Sequence, residues 1–201
     1  EWNVMGKPEL RRDSRLKVTG DADFAGDIRI SGMLYARVLR PPAHGAKLKT
    51  LDTAGATSIE GVQVIHDGEL VAALHGDPDV AGKALAMIKA EYDVPDSNVN
   101  DTNIFEHLLQ SAPQPHTAAE GGDLKQGEAL SKISFDETYL NSYVAHAAME
   151  PHTALVDVKG DRAMVWPSSQ TPFRAKEEVA KVLGIPPDNV RVISPFVGGG
   201  F

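Results

Sequence analysis

The 201-residue sequence contains no cysteine. This excludes an iron–sulfur cluster held by thiolates of this chain, a disulfide and a cysteine nucleophile, while leaving both cytoplasm and periplasm open as compartments. An excess of positive charge is also absent, since 20 Lys and Arg stand against 28 Asp and Glu, for a net charge of −8. Basic residues form no stripe, so nucleic acid is not an expected partner. Apolar runs fall far short of the roughly 20 residues that span a bilayer, so we expect no membrane span.

The first region of the chain has the pattern of a small α+β unit. Met33–Leu39 is rich in β-favouring residues and predicts a strand. Val62–Ile65 and Leu70–Leu74 predict a hairpin around Asp67-Gly68, because Asp-Gly favours the positive φ of a tight turn. Asp77-Pro78 predicts the start of a helix, with Asp as N-cap and Pro in the first turn. The remaining predicted elements are a turn-rich entry through Lys17–Gly20, a strand with Leu48 and Leu51, a short helix capped by Thr53 and a strand at Ala90–Val94.

A polar stretch with prolines and glycines separates this region from a second one. It predicts a connection with one short helix near Thr102–Gln110, whose apolar residues share a face. In the second region, apolar residues alternate with polar ones from Ile133 to Tyr139, which predicts a half-buried strand. The other predicted elements are a hairpin of Ala154–Val158 with Ala163–Trp166, a helix Phe173–Leu183 ended by Gly184, and a strand Val190–Ile193.

The glycine run at the end of the last predicted strand is the first candidate site. Gly198, Gly199 and Gly200 let backbone N–H groups approach an anionic or oxo ligand without interference from side chains. The run is not a P-loop, because Phe-Val-Gly-Gly-Gly-Phe lacks that spacing. Taken alone, a glycine run is more often a flexible linker or tail.

Gln170 is the second candidate, because it lies between a predicted strand and the start of a helix. A neutral amide at this position can donate to an oxo or hydroxo group and accept from a substrate N–H without adding charge. A glutamine that merely satisfies loop backbone groups is the commoner situation.

Two histidines and a glutamate lie within seven residues, at His146, Glu150 and His152, and could in principle bind a metal. Pro151 prevents the helix that would bring both histidines to one face, and no recognised ligand spacing is present. We therefore expect no metal held by protein side chains, and a zinc hydrolase built on these residues is disfavoured. Glu150 and His152 are better interpreted as polar groups that shape a pocket or a strand end.

Several motifs occur together and in a consistent order. The spans Lys17–Gly20 and Gly32–Arg40, and Leu51–Thr53 followed by Gly61-Val62, resemble the α/β-hammerhead domain of the xanthine dehydrogenase/aldehyde oxidase family. Met149–His152, Trp166, Gln170–Phe173 and Val197–Phe201 resemble the first part of that family's molybdopterin-binding region. The resemblance covers nearly the whole chain apart from residues around 98–127.

The resemblance implies a fold, a division into domains and a function. The expected fold is α+β, with an α/β-hammerhead domain at residues 1–96, a connecting segment at 97–130, and the truncated first part of a mixed α/β molybdopterin-binding domain at 131–201. The implied activity is that of a molybdenum hydroxylase large subunit, which oxidises aldehydes or N-heterocycles with water as the oxygen source and passes electrons to iron–sulfur clusters.

The same resemblance assigns roles to individual residues. It places Gln170 beside the molybdenum oxo group as a catalytic residue, and Gly198, Gly199, Gly200 and Phe201 at the molybdenum–pterin cofactor. Glu150 is expected in the wall near the substrate path, and no protein side chain is expected to bind the metal.

The resemblance also implies partners and sets limits. The expected partners are the remainder of the large subunit, an iron–sulfur small subunit, a flavin subunit or a cytochrome, and a small-molecule substrate. The family's glycine motif normally continues past Phe201, and its catalytic glutamate lies far downstream. We therefore expect a truncated piece that alone is inactive and holds no cofactor. The alternative is a non-catalytic interaction module, or a split subunit that docks on a cofactor-binding partner.

Overall fold

The computed structural model describes residues 3–201 and contains short helices and three small sheets, in keeping with the predicted α+β class. Two compact units form, one from residues 32–143 and the other from residues 3–31 together with 144–201. No helix in this described part is long and apolar enough to cross a membrane. In chain order the elements are α1 Ser14–Thr19, β1 Tyr35–Val38, β2 Lys47–Asp52, α2 Ala54–Thr57, β3 Gln63–Asp67, β4 Leu70–His75, α3 Pro78–Met87, β5 Lys89–Asp93, α4 Ile104–Ser111, α5 Leu124–Leu130, β6 Ala154–Lys159, β7 Arg162–Pro167, α6 Pro172–Leu183 and β8 Val190–Val192, with 3₁₀ turns at Ala25–Asp27 and Pro187–Asn189.

The unit of residues 32–143 is built around β4. This strand pairs antiparallel with both β1 and β3, and β2 pairs antiparallel with β5 in a separate sheet. Val71, Ala72 and Ala73 are consecutive and all buried, which is the pattern of a central strand covered on both faces. Ala81 and Ala84 bury the inner face of α3, and their small side chains let this helix approach the sheet closely. The predicted hairpin is confirmed, with Asp67 opposite Leu70.

The other unit contains a three-stranded sheet in the order β6-β7-β8. The hairpin of β6 and β7 is antiparallel, whereas β8 pairs parallel to β7 after the crossover through α6. Ala163, Val165 and Pro167 alternate with less buried residues along β7, so one face of this strand is buried. Ala180 of α6 and Val190 of β8 complete the small core. The helix ends at Gly184 with φ 66°, as the sequence predicts.

The predicted strand at Ile133–Tyr139 is wrong. No strand forms between residues 131 and 153, and the side chains of Phe135 and Tyr139 are 83% and 85% exposed. Alternation alone does not make a strand, because its backbone groups need a neighbouring strand, and none pairs with this stretch within residues 3–201.

Two helices were not predicted. The stretch through Lys17–Gly20 was expected to be turns but contains α1, which ends at Gly20 with φ 79°. Helix α5 was not predicted either. The Asp123 side chain caps its first turn by accepting from the N–H of Gln126 at 3.0 Å. Both helices are too short for an apolar period to stand out in the sequence.

The compact units divide the chain differently from the predicted domains. Residues 3–31 group with residues 144–201 rather than with the strands that follow them in sequence. Phe24 explains the grouping, because it forms a parallel bridge with Phe196. The family's domain boundaries near residues 96 and 130 remain a prediction.

Asp77 generates a test of the α3 cap. Its carboxylate accepts from the N–H groups of Asp79 at 2.8 Å and Val80 at 3.3 Å, and these hydrogen bonds lower the pKa of Asp77. A lowered folded-state pKa means that the stabilisation is fully present above the ordinary value near 3.9 and is lost as pH falls through the folded value. We expect Asp77→Ala to lower the melting temperature at pH 7, and its difference from wild type to shrink toward pH 2.

The controls for this prediction are two variants of the same turn. Asp77→Asn keeps an acceptor and should retain most of the stability at pH 7. Asp79→Ala removes a neighbouring carboxylate that caps no N–H group, so it should cost less than Asp77→Ala. Equal melting temperatures for Asp77→Ala and wild type at pH 7 would contradict the prediction.

Candidate functional site

The glycine loop, residues 197–201, follows directly from the sheet. β8 ends at Val192, and the N–H of Ile193 still donates to the Val165 carbonyl at 2.8 Å. The chain then leaves the sheet beyond the parallel pairing with β7. Gly199 has φ 135°, a backbone conformation that side chains rarely adopt. The loop therefore lies a few residues beyond the end of the last parallel strand.

Protein atoms occupy the side-chain directions of all three glycines. A Cβ at Gly198 would collide with the Glu150 Cβ, and one at Gly199 would lie 3.0 Å from the Ala148 Cβ and 2.8 Å from the Phe201 ring. A Cβ at Gly200 would lie 2.5 Å from the Gln170 Cδ. Contacts with protein atoms thus fill the space beside these glycines, and the close approach of a ligand that the sequence predicts there remains a prediction. These contacts bring Glu150, Gln170 and the glycine loop together, in what we call the cradle.

Glu150 holds the first glycine of the loop. Its Oε2 accepts from the N–H of Gly198 at 2.6 Å, in a partly buried hydrogen bond. Its Oε1 is buried and has no hydrogen-bond partner within residues 3–201. Just before it, Ala147 adopts φ 46°, a left-handed conformation that costs a non-glycine residue about 1 kcal/mol. One carboxylate oxygen of Glu150 thus holds the loop through Gly198, and the other makes no hydrogen bond to the described residues.

Gln170 lies in the short connection between β7 and α6. The connection is fixed by backbone hydrogen bonds from Ser168 to the Thr153 carbonyl at 2.9 Å and from Ser169 to the Pro167 carbonyl at 2.9 Å. The helix begins at Pro172, and the side chain of Thr171 before it makes no capping hydrogen bond. The Gln170 side chain is exposed, with its amide against Gly200. A fixed backbone therefore presents a neutral amide beside the loop.

Two residues adjacent to those of the cradle, one in space and one in sequence, were not identified from the sequence. Ala148 packs against Gly199, and no sequence signal marks it beyond its place before Met149-Glu150. Ser168 has a buried hydroxyl without a hydrogen-bond partner among the described residues. It lies two residues before Gln170, in the connection between β7 and α6. Buried polar atoms without partners are uncommon and indicate a missing donor or acceptor.

The histidines do not join the cradle. His146 and His152 are both exposed, and no group of three His, Cys, Asp or Glu side chains able to hold a metal occurs in the part of the chain that the structure describes. The structure therefore offers no support for a hydrolytic zinc centre on His146, Glu150 and His152.

Comparisons with known proteins relate the chain to molybdopterin-binding subunits. A sequence model of the molybdopterin cofactor-binding domain matches residues 108–201, a range that contains Glu150, Gln170 and the glycine loop. Over its whole length the chain is 26% identical to the molybdenum-binding subunit of an aldehyde oxidoreductase from Escherichia coli K12, of which it covers 31%. It is 27% identical to the large molybdopterin subunit of nicotinate dehydrogenase from Eubacterium barkeri, covering 56% of that relative. The chain thus resembles the molybdopterin-binding subunits of the xanthine dehydrogenase/aldehyde oxidase family over its whole length.

Solved structures show the same fold. Quinoline 2-oxidoreductase from Pseudomonas putida 86 matches 98% of the chain with a TM-score of 0.71 at 21% identity, over 31% of its own length. A carbon monoxide dehydrogenase from Oligotropha carboxidovorans matches 98% of the chain with a TM-score of 0.72 at 18% identity, also over 31% of its length. The predicted fold class and the predicted xanthine dehydrogenase/aldehyde oxidase resemblance are both confirmed. The chain spans about a third of most of these relatives.

The packing of the glycine loop predicts unequal effects of alanine at its positions. Gly198→Ala forces a methyl group against the Glu150 Cβ and backbone, so we expect a loss of about 1–3 kcal/mol in unfolding free energy. Gly200→Ala meets only the mobile end of Gln170 and should cost less. Denaturant unfolding of the two variants measures the difference.

Gly82→Ala is the matched control for that comparison. Gly82 lies within α3 with open space around it, so alanine there should stabilise by about 0.5–1 kcal/mol. A Gly198→Ala protein as stable as wild type would show that Glu150 does not pack on the loop as described.

Proposed function

We propose that this chain is part of a molybdenum hydroxylase large subunit and supplies the cradle to a molybdenum–pterin cofactor. The observation that carries the proposal is the convergence of Glu150, Gln170 and the glycine loop, 20 to 50 residues apart in sequence, inside the range matched by the molybdopterin-binding domain. The names of the relatives, an aldehyde oxidoreductase and a nicotinate dehydrogenase among them, support aldehydes or N-heterocycles as the substrate class.

The residues of the cradle suit such a cofactor in their polarity. Gly198 already donates to Glu150, so the amides of Gly199 and Gly200 are the ones we assign to the cofactor, with Phe201 at its border. The buried Glu150 Oε1 and Ser168 Oγ lack partners in residues 3–201, as expected beside a ligand rich in hydrogen-bonding groups. When bound, the molybdenum group supplies the redox chemistry and takes up the electrons.

Gln170 is the residue that we assign to the reacting centre. The overall reaction converts a substrate C–H and water into C–OH, two protons and two electrons. The Gln170 amide would donate a hydrogen bond to the reacting oxygen and accept one from the substrate, and as a neutral group it would do so without changing the charge of the site. Glu150, which is predicted to lie in the wall near the substrate path, holds the loop in place by accepting from the Gly198 N–H.

The proposed partners follow from the same assignment. The two electrons leave through iron–sulfur clusters of a small subunit, and these 201 residues contain no cysteine with which to ligate such a cluster by thiolates. A flavin subunit or a cytochrome would receive them next. The remainder of the large subunit would complete the cofactor site, and on this proposal the 201 residues alone are inactive.

Molybdenum content tests the proposal directly. The protein that contains this chain is purified through a tag on the native gene product, with its partners, from cells that make the cofactor. We expect about one molybdenum per large subunit by elemental mass spectrometry, with iron from a co-purifying partner. A complex with neither metal would contradict the hydroxylase assignment and favour a binding or assembly role.

Gln170→Ala tests the role of the amide. Removal of one preorganised donor from a reacting oxygen lowers kcat by about 10²–10³-fold, whereas the cofactor should stay bound through the loop. Turnover of an aldehyde or N-heterocycle substrate and molybdenum content are measured on the same preparation. Gln126→Ala, on the exposed surface of α5, is the control. Full activity in Gln170→Ala would remove this residue from the reacting centre.

A further inference from the structure

A short segment near the beginning of the described chain lies against the base of the glycine loop. This segment, residues 22–27, contributes Phe24 to a parallel bridge with Phe196. The N–H of Phe196 donates to the Asp23 carbonyl at 3.2 Å, and the two phenylalanine rings are tilted by 48° with centroids 6.1 Å apart. Phe196 is only two residues before Gly198, so the segment fixes the chain where the loop begins.

The same segment also reaches the other side of the cradle. A Cβ at Gly26 would lie 3.5 Å from the Thr153 side chain, in ordinary van der Waals contact. Thr153 is three residues after Glu150 and directly before β6. Ala22 and Ala25 are 6% and 3% exposed, so the segment is packed rather than draped over the surface. The segment therefore contacts the chain close in sequence to both partners of the Glu150–Gly198 hydrogen bond: Phe196 near Gly198, and Thr153 near Glu150.

Local hydrogen bonds hold the segment in shape. The Asp27 carboxylate accepts from the N–H of Phe24 at 2.9 Å, while the N–H of Asp27 donates to the Phe24 carbonyl at 2.9 Å. Asp27 therefore sets the direction in which Phe24 points toward Phe196. This reciprocal pair closes a turn within the segment itself.

Lys17 adds a charged contact from α1. Its ammonium lies 5.2 Å from the centroid of the Phe196 ring and 2.7 Å from the Asp13 carboxylate. A cation over an aromatic face is attracted by the ring quadrupole. The Phe196 ring is thus held from two sides, by Phe24 and by Lys17.

We propose that residues 22–27 are a positioning element for the glycine loop, with Phe24 and Asp27 as its positioning residues. The element sets the separation between Glu150 and Gly198 and so fixes the direction of the loop amides. The contacts through which it acts are those with Phe196 and Thr153. What the loop amides bind rests on the proposed function, whereas the positioning itself does not.

Hydrogen exchange with Phe24→Ala tests this positioning. In the purified protein with its partners, we expect exchange of the Phe196 and Gly198 amides to rise about tenfold or more, because both depend on the position of the loop. Amides of the β6–β7 hairpin, such as Val156 and Val165, should change less than about twofold. Asp23→Ala is the matched control, since only the backbone carbonyl of Asp23 bonds to Phe196.

Two further variants keep the test decisive. Should Phe24→Ala fail to fold, Asp27→Ala removes the acceptor for the Phe24 N–H and should give the same local pattern, which Asp27→Asn should largely rescue. Unchanged exchange at Phe196 and Gly198 would overturn the proposal. An equal rise across the β6–β7 hairpin would also overturn it, because the segment would then stabilise the whole unit without positioning the loop.

Molybdenum content separates this proposal from the proposed function. If wild type holds molybdenum, Phe24→Ala should lower the content while Asp23→Ala leaves it unchanged. If wild type holds none, the proposed function fails, yet the exchange measurement still decides whether residues 22–27 position the loop. A local rise in exchange with undiminished molybdenum would show that positioning by this segment is not needed for cofactor binding, and would overturn that part of the proposal.

Discussion

The hydrogen bond from the Gly198 N–H to the Glu150 carboxylate joins two parts of the chain that are 48 residues apart in sequence. At 2.6 Å it is short for an N–H donor, and a carboxylate acceptor gives it more strength than a neutral one would. It closes the cradle, because Gly198 and Gly199 then lie against Glu150 and Ala148 with no room for a side chain. The conformation of the loop depends on this contact, and so does the position of the Gly200 backbone amide beside Gln170.

The rest of the unit provides a fixed base for that contact. β7 is the central strand, pairing antiparallel with β6, whose chain begins just after Glu150, and parallel with β8, which leads into the loop. The central strand β7 thus positions the two neighbouring strands, β6 and β8, that lie close in sequence to Glu150 and to Gly198. Val165 is 2% exposed and is among the few large side chains that are fully buried. With so small a core, the glycine contacts and the packing of residues 22–27 on Phe196 carry much of the local order.

The residues around the cradle also separate two uses of glycine. Gly68, Gly160 and Gly184 serve turns and a helix end, where a positive φ is needed and the surroundings are open. Gly198 and Gly200 lack a positive φ, and at each another side chain fills the Cβ direction: the Glu150 Cβ at Gly198 and the flexible end of Gln170 at Gly200. Sequence alone does not distinguish these uses, since both are written as Gly.

The sequence by itself determined the local elements whose signals are carried by neighbouring residues. Asp77-Pro78 specified the start of α3, Gly184 the end of α6, and Asp67-Gly68 the turn of the β3–β4 hairpin. Gln170, Glu150 and the glycine run were also marked as site residues by their motifs. That they lie together could be expected only from the resemblance to a family, because spacing along a chain does not fix distances between separate loops.

The tertiary structure decided what depends on partners distant in sequence. It brought Glu150 into a hydrogen bond with Gly198 of the loop. It also grouped residues 3–31 with residues 144–201, where Phe24 pairs with Phe196. It also left Ile133–Tyr139 without a strand, because an alternating pattern becomes a strand only where another strand pairs with it. Local patterns report backbone preference and which face is apolar, whereas a site made by loops from several elements exists only after the chain has packed.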